Sequence, residues 1–354
     1  MPRHGAPSNA LSARFDDRAR EADGDWRDWA DAHEDLPPLR VTVGLETPRT
    51  VLTRNDSPDI PFDRSFNAYR GCEHGCIYCF ARPTHAYHNL SPGLDFETKL
   101  FAKPTGPALL RAAFMKPGYA PEVLAMGTNT DPYQPIEAQF GITRQVLELC
   151  LETRHPVSIT TKSERVVRDI DLLSALARQE LAVVMLSVTT LDPDLARAME
   201  PRASAPHRRI AAIRALSEAG VPCFVSASPM IPGLNDHELE AILKAAAEAG
   251  AIGAFCQPVR LPHEVASLFE QWLQVHRPDR KAKVLNAIRA MRDGKLNDPR
   301  FGERMRPKGE WGRLLRFRLA AAKRRHGLDA VRPRLRSDLF VKPAADSRQG
   351  DLFG

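Results

Sequence analysis

The sequence predicts an α/β protein in which parallel strands and right-handed crossover helices form either a barrel or an open sheet. Two observations carry this prediction. Short apolar runs rich in Val, Ile and small residues recur along the chain, and segments of helical period alternate with them. At 354 residues with 43% hydrophobic content, the chain is long enough for one large barrel or two ordinary domains.

The apolar runs are the predicted strands. In chain order they are Ser65–Tyr69, Glu122–Met126, Val157–Thr161, Ala182–Val188, Cys223–Ala227 and Ile252–Cys256. The segments with the amphipathic period of helices are Thr143–Arg154, Val166–Gln179, Pro206–Ala219, Asp236–Ala249 and His263–His276. Gly220 and Gly250 each follow one of these helices, where a left-handed C-terminal residue is expected.

Composition changes divide the chain further. The predicted parts are a flexible N-terminal arm over 1–40, the strand–helix domain over 41–276, a basic helical extension over 277–340 and a disordered tail over 341–354. The arm has few large aliphatic residues, and Leu39–Arg54 alternates enough to suggest one or two strands. In the extension, Lys281–Arg292 and Gly309–His326 are predicted helices.

The net charge of +6 is distributed unevenly. Residues 277–336 contain 20 Lys and Arg against 6 Asp and Glu, whereas the rest of the chain contains 30 against 38. A basic segment on a slightly acidic body suits DNA or RNA, and the alternative is a set of solvated helix faces. Aromatic residues lie among the cations, as in Arg300-Phe301, and these suit stacking on exposed bases.

Neither the first ten residues nor any later stretch has the apolar run of a signal peptide or a membrane span. We therefore expect a cytoplasmic protein without membrane contact. In a reducing compartment, the six cysteines are expected to be ligands, nucleophiles or core residues rather than disulfides.

Half of the cysteines lie in the stretch GCEHGCIYCF, as Cys72-x3-Cys76-x2-Cys79. This stretch follows the first predicted strand, and catalytic groups of parallel barrels collect at the C-terminal ends of strands. Gly71 and Gly75 allow a short loop to turn the three sulfurs inward around one metal or one cluster.

Three thiolates suit a [4Fe–4S] cluster in which one iron has no protein ligand, so that this iron can bind a substrate or cofactor. A structural zinc would need a fourth ligand, for which His74, His85 and His88 are the nearby candidates. The third interpretation, core cysteines without a ligand, conflicts with three Cys in eight residues.

The spacing, with Tyr78 directly before the last cysteine, strongly resembles the cluster loop of radical S-adenosylmethionine (SAM) enzymes. Within that superfamily the chain resembles the spore photolyase-like proteins, often labelled DNA repair photolyases. The supporting stretches are Asn55–Leu100, Gly127–Glu137, Ile159–Ser163 and Pro229–Asp236. The resemblance implies a partial (β/α)6 TIM-like barrel, a [4Fe–4S] cluster, SAM bound to its open iron, and an electron donor such as flavodoxin or ferredoxin.

The resemblance also implies which strand ends hold SAM. After the second strand, Thr128, Asn129, Thr130 and Asp131 are candidates for the SAM ammonium, and Glu137 is the alternative or a helix cap. The stretch departs from the plain Gly-Gly-Glu form of the family motif, so the choice of acceptor stays open here.

Other strand ends supply the remaining SAM contacts. Lys162, next to Thr160, suits the SAM carboxylate unless it is a surface lysine, and Ser187 suits the ribose or carboxylate. Arg202 resembles the carboxylate-binding arginine of relatives, with Arg208 and Arg209 as alternatives. The predicted SAM-binding residues are Tyr78, Thr128, Asn129, Asp131, Thr160, Lys162, Ser187 and Arg202.

The hydrogen-atom donor has no clear candidate. Spore photolyase uses a cysteine soon after the cluster loop, whereas this chain has none between Cys79 and Cys150. That absence weighs against repair of the spore photoproduct itself. Cys256, Tyr78 and Tyr133 are the remaining candidates, and core packing is the competing interpretation for Cys256.

The last residues, Gln349–Phe353 (QGDLF), resemble the pentapeptide with which bacterial repair proteins bind the sliding clamp, and the alternative is a polar tail. The sequence thus predicts a radical SAM enzyme that acts on nucleic acid. Two alternatives are radical modification of a protein or small molecule, and a non-enzymatic, metal-stabilised nucleic-acid-binding protein.

Overall fold

A computed structural model describes residues 4–9, 41–329 and 333–344. The strands in these ranges are β1 (Thr42–Leu45), β2 (Leu52–Arg54), β3 (Arg64–Phe66), β4 (Tyr69–Arg70), β5 (Lys99–Ala102), β6 (Leu124–Met126), β7 (Val157–Thr161), β8 (Ala182–Ser187), β9 (Cys223–Met230) and β10 (Gly253–Pro258). The α-helices are α1 (Asp95–Thr98), α2 (Gly106–Met115), α3 (Glu137–Phe140), α4 (Ile142–Thr153), α5 (Ile170–Ala177), α6 (Pro193–Met199), α7 (Pro206–Glu218), α8 (Leu239–Glu248), α9 (Val265–His276), α10 (Lys281–Ala290) and α11 (Gly309–His326). Short 3-10 helices span Arg82–His88, Glu164–Asp169, Asp236–Glu238 and Ser337–Leu339.

The main sheet has seven strands in the order β10-β9-β8-β7-β6-β3-β2. Strands β3 and β6 to β10 are parallel, and β2 pairs with β3 in the antiparallel sense. This order, with strands β10 and β2 at its two edges, is that of a partial barrel. The prediction of an α/β fold with a partial (β/α)6 TIM-like barrel is therefore confirmed.

The predicted first strand, Ser65–Tyr69, is divided in the structure. Strand β3 belongs to the main sheet, whereas β4 belongs to a second sheet of order β1-β5-β4. The break falls at Asn67, whose side chain is hydrogen-bonded to the loop that follows β6. Sequence patterns also missed β5 and α2, although both β1 and β2 lie in the stretch Leu39–Arg54.

The core lies between the sheet and the helices that cover it. Alternate strand residues such as Val184 and Val225 are fully buried against helix residues such as Leu173 and Ile213. Burying one such side chain contributes about 2 kcal/mol, so the helix layer fixes the positions of the strand ends.

Within the predicted N-terminal arm, the structure describes residues 4–9, which contact the barrel. The amides of Gly5 and Ala6 donate to the two carboxylate oxygens of Glu97, at 3.0 and 2.8 Å, and Ala6 is buried. Residues 1–3 and 10–40 of the predicted arm lie outside the described residues.

The basic extension packs on the barrel through its helix α11. Arg318 donates to Glu240 of α8, and the indole nitrogen of Trp311 donates to Asp236 at 2.8 Å. Both predicted helices of the extension are present, as α10 and α11, each within two residues of its predicted ends.

Residues 333–344 cross the barrel at the edge where its strands begin. Leu335 packs with Val183 and Phe224 at the starts of β8 and β9, and the amide of Val341 donates to the carbonyl of Thr153 at 2.9 Å. The first residue of the predicted disordered tail, 341–354, is therefore hydrogen-bonded to the barrel. The remainder of the tail from 345, including the clamp-like stretch Gln349–Phe353, lies outside the described residues.

None of the helices that the structure describes is both long enough and apolar enough to span a membrane.

Candidate active site

The three cysteines of the cluster loop line one cavity at the C-terminal edge of the sheet. The cavity encloses about 480 Å³, including space open to solvent. Cys72 and Cys76 are buried and Cys79 is partly exposed, so the thiols face inward from a loop whose backbone turns at Gly71 and Gly75. Both glycines have positive φ, which side chains rarely adopt.

Arg82, three residues after Cys79, holds the loop from behind and is fully buried. Its guanidinium donates to the carbonyls of Gly75 and Cys76, both at 2.9 Å, and to the carboxylate of Glu97 at 2.8 Å. It also donates to two carbonyls of the following turn, those of Pro92 and Gly93. Sequence reasoning missed Arg82 and Glu97, because Glu97 lies well beyond the loop in the sequence and no local pattern shows that it pairs with Arg82.

The environment of the thiols fits a bound iron–sulfur cluster. Burial, and then the negative charge of Asp131, raise the pKa of Cys72 well above its usual range. Burial also raises the pKa of Cys76, an effect that Lys162 partly offsets. Since thiolates are the ligands, this site needs positive charge at the sulfurs, which bound iron supplies.

The same geometry does not suit a mononuclear zinc. Over residues 4–9, 41–329 and 333–344, no group of three or more His, Cys, Asp or Glu side chains could hold a single metal ion. In a [4Fe–4S] cluster each thiolate ligates a different iron, so the sulfurs need not converge on one point. The described side chains thus do not form the converging ligand set of a single zinc ion.

Asn67 shapes the loop after β6. Its side-chain oxygen accepts hydrogen bonds from the Thr128 hydroxyl at 3.2 Å and the Asn129 amide at 3.0 Å. Gly127 has a φ of +85°, and a Cβ there would lie 1.9 Å from the carbonyl oxygen of Thr160. The backbone of this loop therefore lies directly against β7, which places Thr128 and Asn129 in the cavity lining.

Asp131 lies in the cavity lining, but its carboxylate already has partners. It accepts hydrogen bonds from the Thr161 hydroxyl and the Lys162 amide, both at 2.7 Å, and from the Tyr133 amide at 2.9 Å. Nδ1 of His74 lies 3.4 Å from it. Burial alone would raise the pKa of Asp131, but His74 and these donors lower it to about 2. Through these hydrogen bonds Asp131 joins the loop after β6 to the end of β7.

The neighbouring strand ends complete the lining. Thr160 and Lys162 at the end of β7 and Ser187 at the end of β8 all border the cavity. The Lys162 ammonium lies 5.8 Å from the centroid of the Tyr78 ring. The cavity therefore combines thiols, a cation and hydroxyl groups.

Two predicted SAM contacts lie outside this lining. Arg202 points behind the cluster loop, where its guanidinium donates to the Glu97 carbonyl at 3.0 Å. Tyr78 is buried under the loop, where its hydroxyl contacts Thr189 at 3.2 Å and donates to Glu200.

The two alternatives to Arg202 also lie outside the lining. Arg209 is buried in an ion pair with Glu200, and it donates to the Ser187 carbonyl at 3.0 Å. Arg208 pairs with Glu164 at the surface, at 2.7 Å.

The weak candidates for hydrogen donation do not line the cavity either. Tyr133 is fully buried beside Arg168. Cys256 packs against the core on the helix side of β10, near Arg318. Burial raises the pKa of its thiol to about 12. Its neighbours Phe255 and Gln257, which are exposed, point to the opposite side of the strand.

Sequence reasoning gave no role to Phe80, although it directly follows Cys79. Phe80 lines the cavity and is 51% exposed. His74, considered only as a zinc ligand, lines the cavity as the partner of Asp131. Adjacency to the cysteines was the signal available for both residues.

Residues 66–246, just over half of the chain, match the family model described as Radical SAM superfamily. The protein therefore belongs to the Radical SAM superfamily, whose members use a [4Fe–4S] cluster and SAM and need an electron donor.

Among curated proteins, the chain is 36% identical over 222 residues to uncharacterized proteins of Mycobacterium tuberculosis and Mycobacterium bovis. These matches cover 62% of this chain and 65% of the relatives. An uncharacterized protein of Methanocaldococcus jannaschii is 31% identical over 172 residues, which are 49% of this chain and 62% of the relative. The chain thus spans somewhat less than two thirds of these relatives.

Among solved structures, the fold is similar to that of spore photoproduct lyase in complex with dinucleoside spore photoproduct, with a TM-score of 0.59 and 15% identity. The match covers 80% of this chain and 79% of that chain. A variant of spore photoproduct lyase matches with the same TM-score, the same coverage and 16% identity. At 15% and 16% identity, these similarities establish a shared fold only.

Proposed function

We propose that this radical SAM enzyme acts on nucleic acid, in repair or modification, with Cys72, Cys76 and Cys79 as the ligands of its cluster. The observation that carries the assignment of the site is that the three thiols and the polar ends of β6, β7 and β8 line one cavity. When bound and reduced, the cluster supplies the electron that cleaves SAM to methionine and a hydrogen-abstracting 5′-deoxyadenosyl radical.

The residues of the lining would divide the binding of SAM among them. Lys162 offers a cation for the SAM carboxylate, and Thr128 and Asn129 offer polar groups near its ammonium. Ser187, 4% exposed, offers a hydroxyl for the ribose. Asp131 would orient this set through the Lys162 amide and His74. An electron donor of the flavodoxin or ferredoxin type would supply the reductant.

Two observations support a nucleic-acid substrate. The fold is similar to that of an enzyme whose structure holds a dinucleoside spore photoproduct. The basic extension also presents cations to solvent. Exposed Lys and Arg of 277–329 without a carboxylate partner among the described residues are Lys283, Lys295, Arg306, Arg316, Arg324 and Arg325.

Several cations of the basic extension are paired with carboxylates, so fewer of them are open to nucleic acid than the sequence alone suggests. Arg304 pairs with Asp59, Arg318 with Glu240, and Lys308 with Asp293. These cations hold the extension together or attach it to the barrel. The proposed contact surface is therefore the smaller exposed set on α10, α11 and the segment between them.

Anaerobic reconstitution tests the proposal. The expected result is a protein with about four irons that forms 5′-deoxyadenosine from SAM and dithionite, faster when DNA or RNA is added. Deuterium transfer from a labelled oligonucleotide to deoxyadenosine would identify the substrate directly. Cleavage of SAM without stimulation by either nucleic acid would instead favour a protein or small-molecule substrate. A protein without iron or SAM cleavage would favour the non-enzymatic alternative.

A further inference from the structure

Phe80 and Arg260 form a cation–π pair at the entrance of the cavity. Phe80 lines the cavity beside Cys79 and leaves about half of its surface exposed. Arg260 follows β10, at the same edge of the sheet, and its guanidinium carbon lies 5.4 Å from the centroid of the Phe80 ring. An aromatic face holds a guanidinium in one orientation while leaving its N–H groups free to donate.

Arg260 differs from the arginines around it in its partners. Among the residues that the structure describes, its guanidinium has neither a hydrogen-bond acceptor nor a carboxylate within ion-pair distance. The nearest acidic influence is Asp59, whose carboxylate is taken by Arg304 at 2.5 Å and by the Gly302 amide at 2.7 Å. The guanidinium nitrogens of Arg260 are also not among the described buried atoms without a partner, so its donors face solvent and are open to a ligand.

The surroundings of Arg260 are positively charged. Burial, and then repulsion from Arg304, lower its pKa from the usual range of an arginine. Burial, and then the charge of Arg260, lower the pKa of Arg292, which donates to the Val259 carbonyl at 2.6 Å. Three arginines thus lie near two carboxylates, those of Asp59 and Asp298, which are already paired with Arg304 and Arg300. An anion would relieve this repulsion, and the planar guanidinium fork matches phosphate.

We propose that Arg260, held by Phe80, binds the phosphodiester backbone of the substrate beside the cluster loop. This inference rests on the proposed function, because it assumes a nucleic-acid substrate. The exposed part of the Phe80 ring then offers a surface on which a base next to that phosphate can stack. The pair fixes the distance between backbone and cluster loop, and so selects which nucleotide reaches the reacting centre.

The test measures the binding of a fluorescein-labelled single-stranded oligothymidylate to the reconstituted protein by anisotropy, with SAM but without reductant. Arg260→Gln is expected to weaken binding about tenfold, with a smaller dependence on salt, because one phosphate contact is lost. Arg260→Lys keeps the positive charge but lacks the planar guanidinium. Its affinity for the oligothymidylate is expected to lie between those of the wild type and Arg260→Gln. Arg178→Gln, on an exposed arginine at the opposite edge of the sheet, is the matched control and should bind like the wild type.

Three outcomes would overturn the inference, and they are distinguishable. Wild-type affinity and salt dependence in Arg260→Gln would remove Arg260 from the substrate site while leaving the proposed function in place. Equal losses of affinity for SAM and for the oligothymidylate would assign Arg260 to the SAM site. If the wild type itself neither binds nor is stimulated by any nucleic acid, the proposed function fails first, and this inference fails with it. Unchanged iron content and circular dichroism in each variant show that the fold is retained.

Discussion

Arg82 and Glu97 form a fully buried ion pair behind the cluster loop, with 2.8 Å between Nη2 and Oε1. Neither side chain reaches solvent. The pair joins three parts of the chain, since Arg82 holds the backbone of Gly75 and Cys76 and Glu97 holds the N-terminal residues 5 and 6. The position of the loop thus depends on a charge pair that water does not screen.

Glu97→Gln should destabilise the protein by about 3 kcal/mol, because it leaves the Arg82 charge buried without its carboxylate. The measurements are urea unfolding of the cluster-free protein and iron content after reconstitution, which should fall as the loop loosens. Arg197→Ala breaks an exposed pair with Asp194 and is the control, for which we expect little change. Equal effects of the two substitutions would contradict the role of the buried pair.

Lys162→Met should weaken the binding of SAM by about tenfold or more while leaving the iron content intact, because it removes the cation from the cavity lining. Isothermal titration of the reconstituted protein with SAM measures this change. Lys244→Met, on an exposed lysine of α8, is the matched control. Unchanged SAM affinity in Lys162→Met would place the carboxylate elsewhere.

Cys72→Ser, Cys76→Ser and Cys79→Ser should each abolish cluster assembly, because each replaces a thiolate ligand in the lining of the cavity. Cys256→Ala, by contrast, should keep both the cluster and the formation of deoxyadenosine, since that thiol faces the helix layer. Iron analysis and the absorbance of the reconstituted variants measure the first effect. Loss of hydrogen transfer to product in Cys256→Ala would instead show that the Cys256 thiol relays the radical.

Gly127→Ala should destabilise the protein by several kcal/mol, because its Cβ would lie 1.9 Å from the Thr160 carbonyl oxygen at a φ of +85°. Gly141→Ala is a matched control with a φ of +61° and no atom within 4 Å of the added Cβ. We expect it to cost only about 1 kcal/mol. Urea unfolding of both variants measures the difference, and equal losses would show that the contact with β7 can relax.

His155 makes stability sensitive to acid. It is fully buried and stacks on Phe114 with 4.3 Å between ring centroids, and burial lowers its pKa to about 4. Because the folded state resists protonation, its contribution to stability is complete above about pH 6.5 and falls as the pH drops to about 4. His155→Gln should flatten this part of the stability–pH curve by about 3 kcal/mol.

Urea unfolding at a series of pH values measures the effect of His155→Gln. The control is His237→Gln, on an exposed histidine, which should leave the curve as it is in the wild type. A curve for His155→Gln that runs parallel to that of the wild type would show that His155 does not titrate in this range.

Most of the parallel strands were predictable because they lie in short apolar runs, although β3, Arg64–Phe66, has no such run. The cluster loop was predictable because its three cysteines lie close together in sequence. Strand β5 was missed because its four residues pair with β1 and β4, which lie far away along the chain. The pairing of Arg82 with Glu97 was likewise invisible, since no local pattern shows which charged residues become buried.

Two predicted site residues, Cys256 and Arg202, lie at the expected strand ends but point away from the cavity lining. Cys256 lies at the predicted end of β10, but the alternation of side chains places it on the helix face. Arg202 follows β8 as predicted, yet its guanidinium turns toward the Glu97 carbonyl. Sequence spacing places both residues at this end of the sheet, whereas the direction of each side chain depends on packing that only the folded chain defines.

The segment 333–344 lies along the edge where the strands start, whereas residues 4–9 contact the cluster loop at the other edge. The two ends of the described chain therefore differ as attachment points. A tag or fluorescent fusion attached directly after residue 344 would start on the side of the barrel away from the cysteine-lined cavity. The same fusion placed before residue 4 would start within reach of the iron-binding loop, and is the one to avoid in assays of cofactor loading.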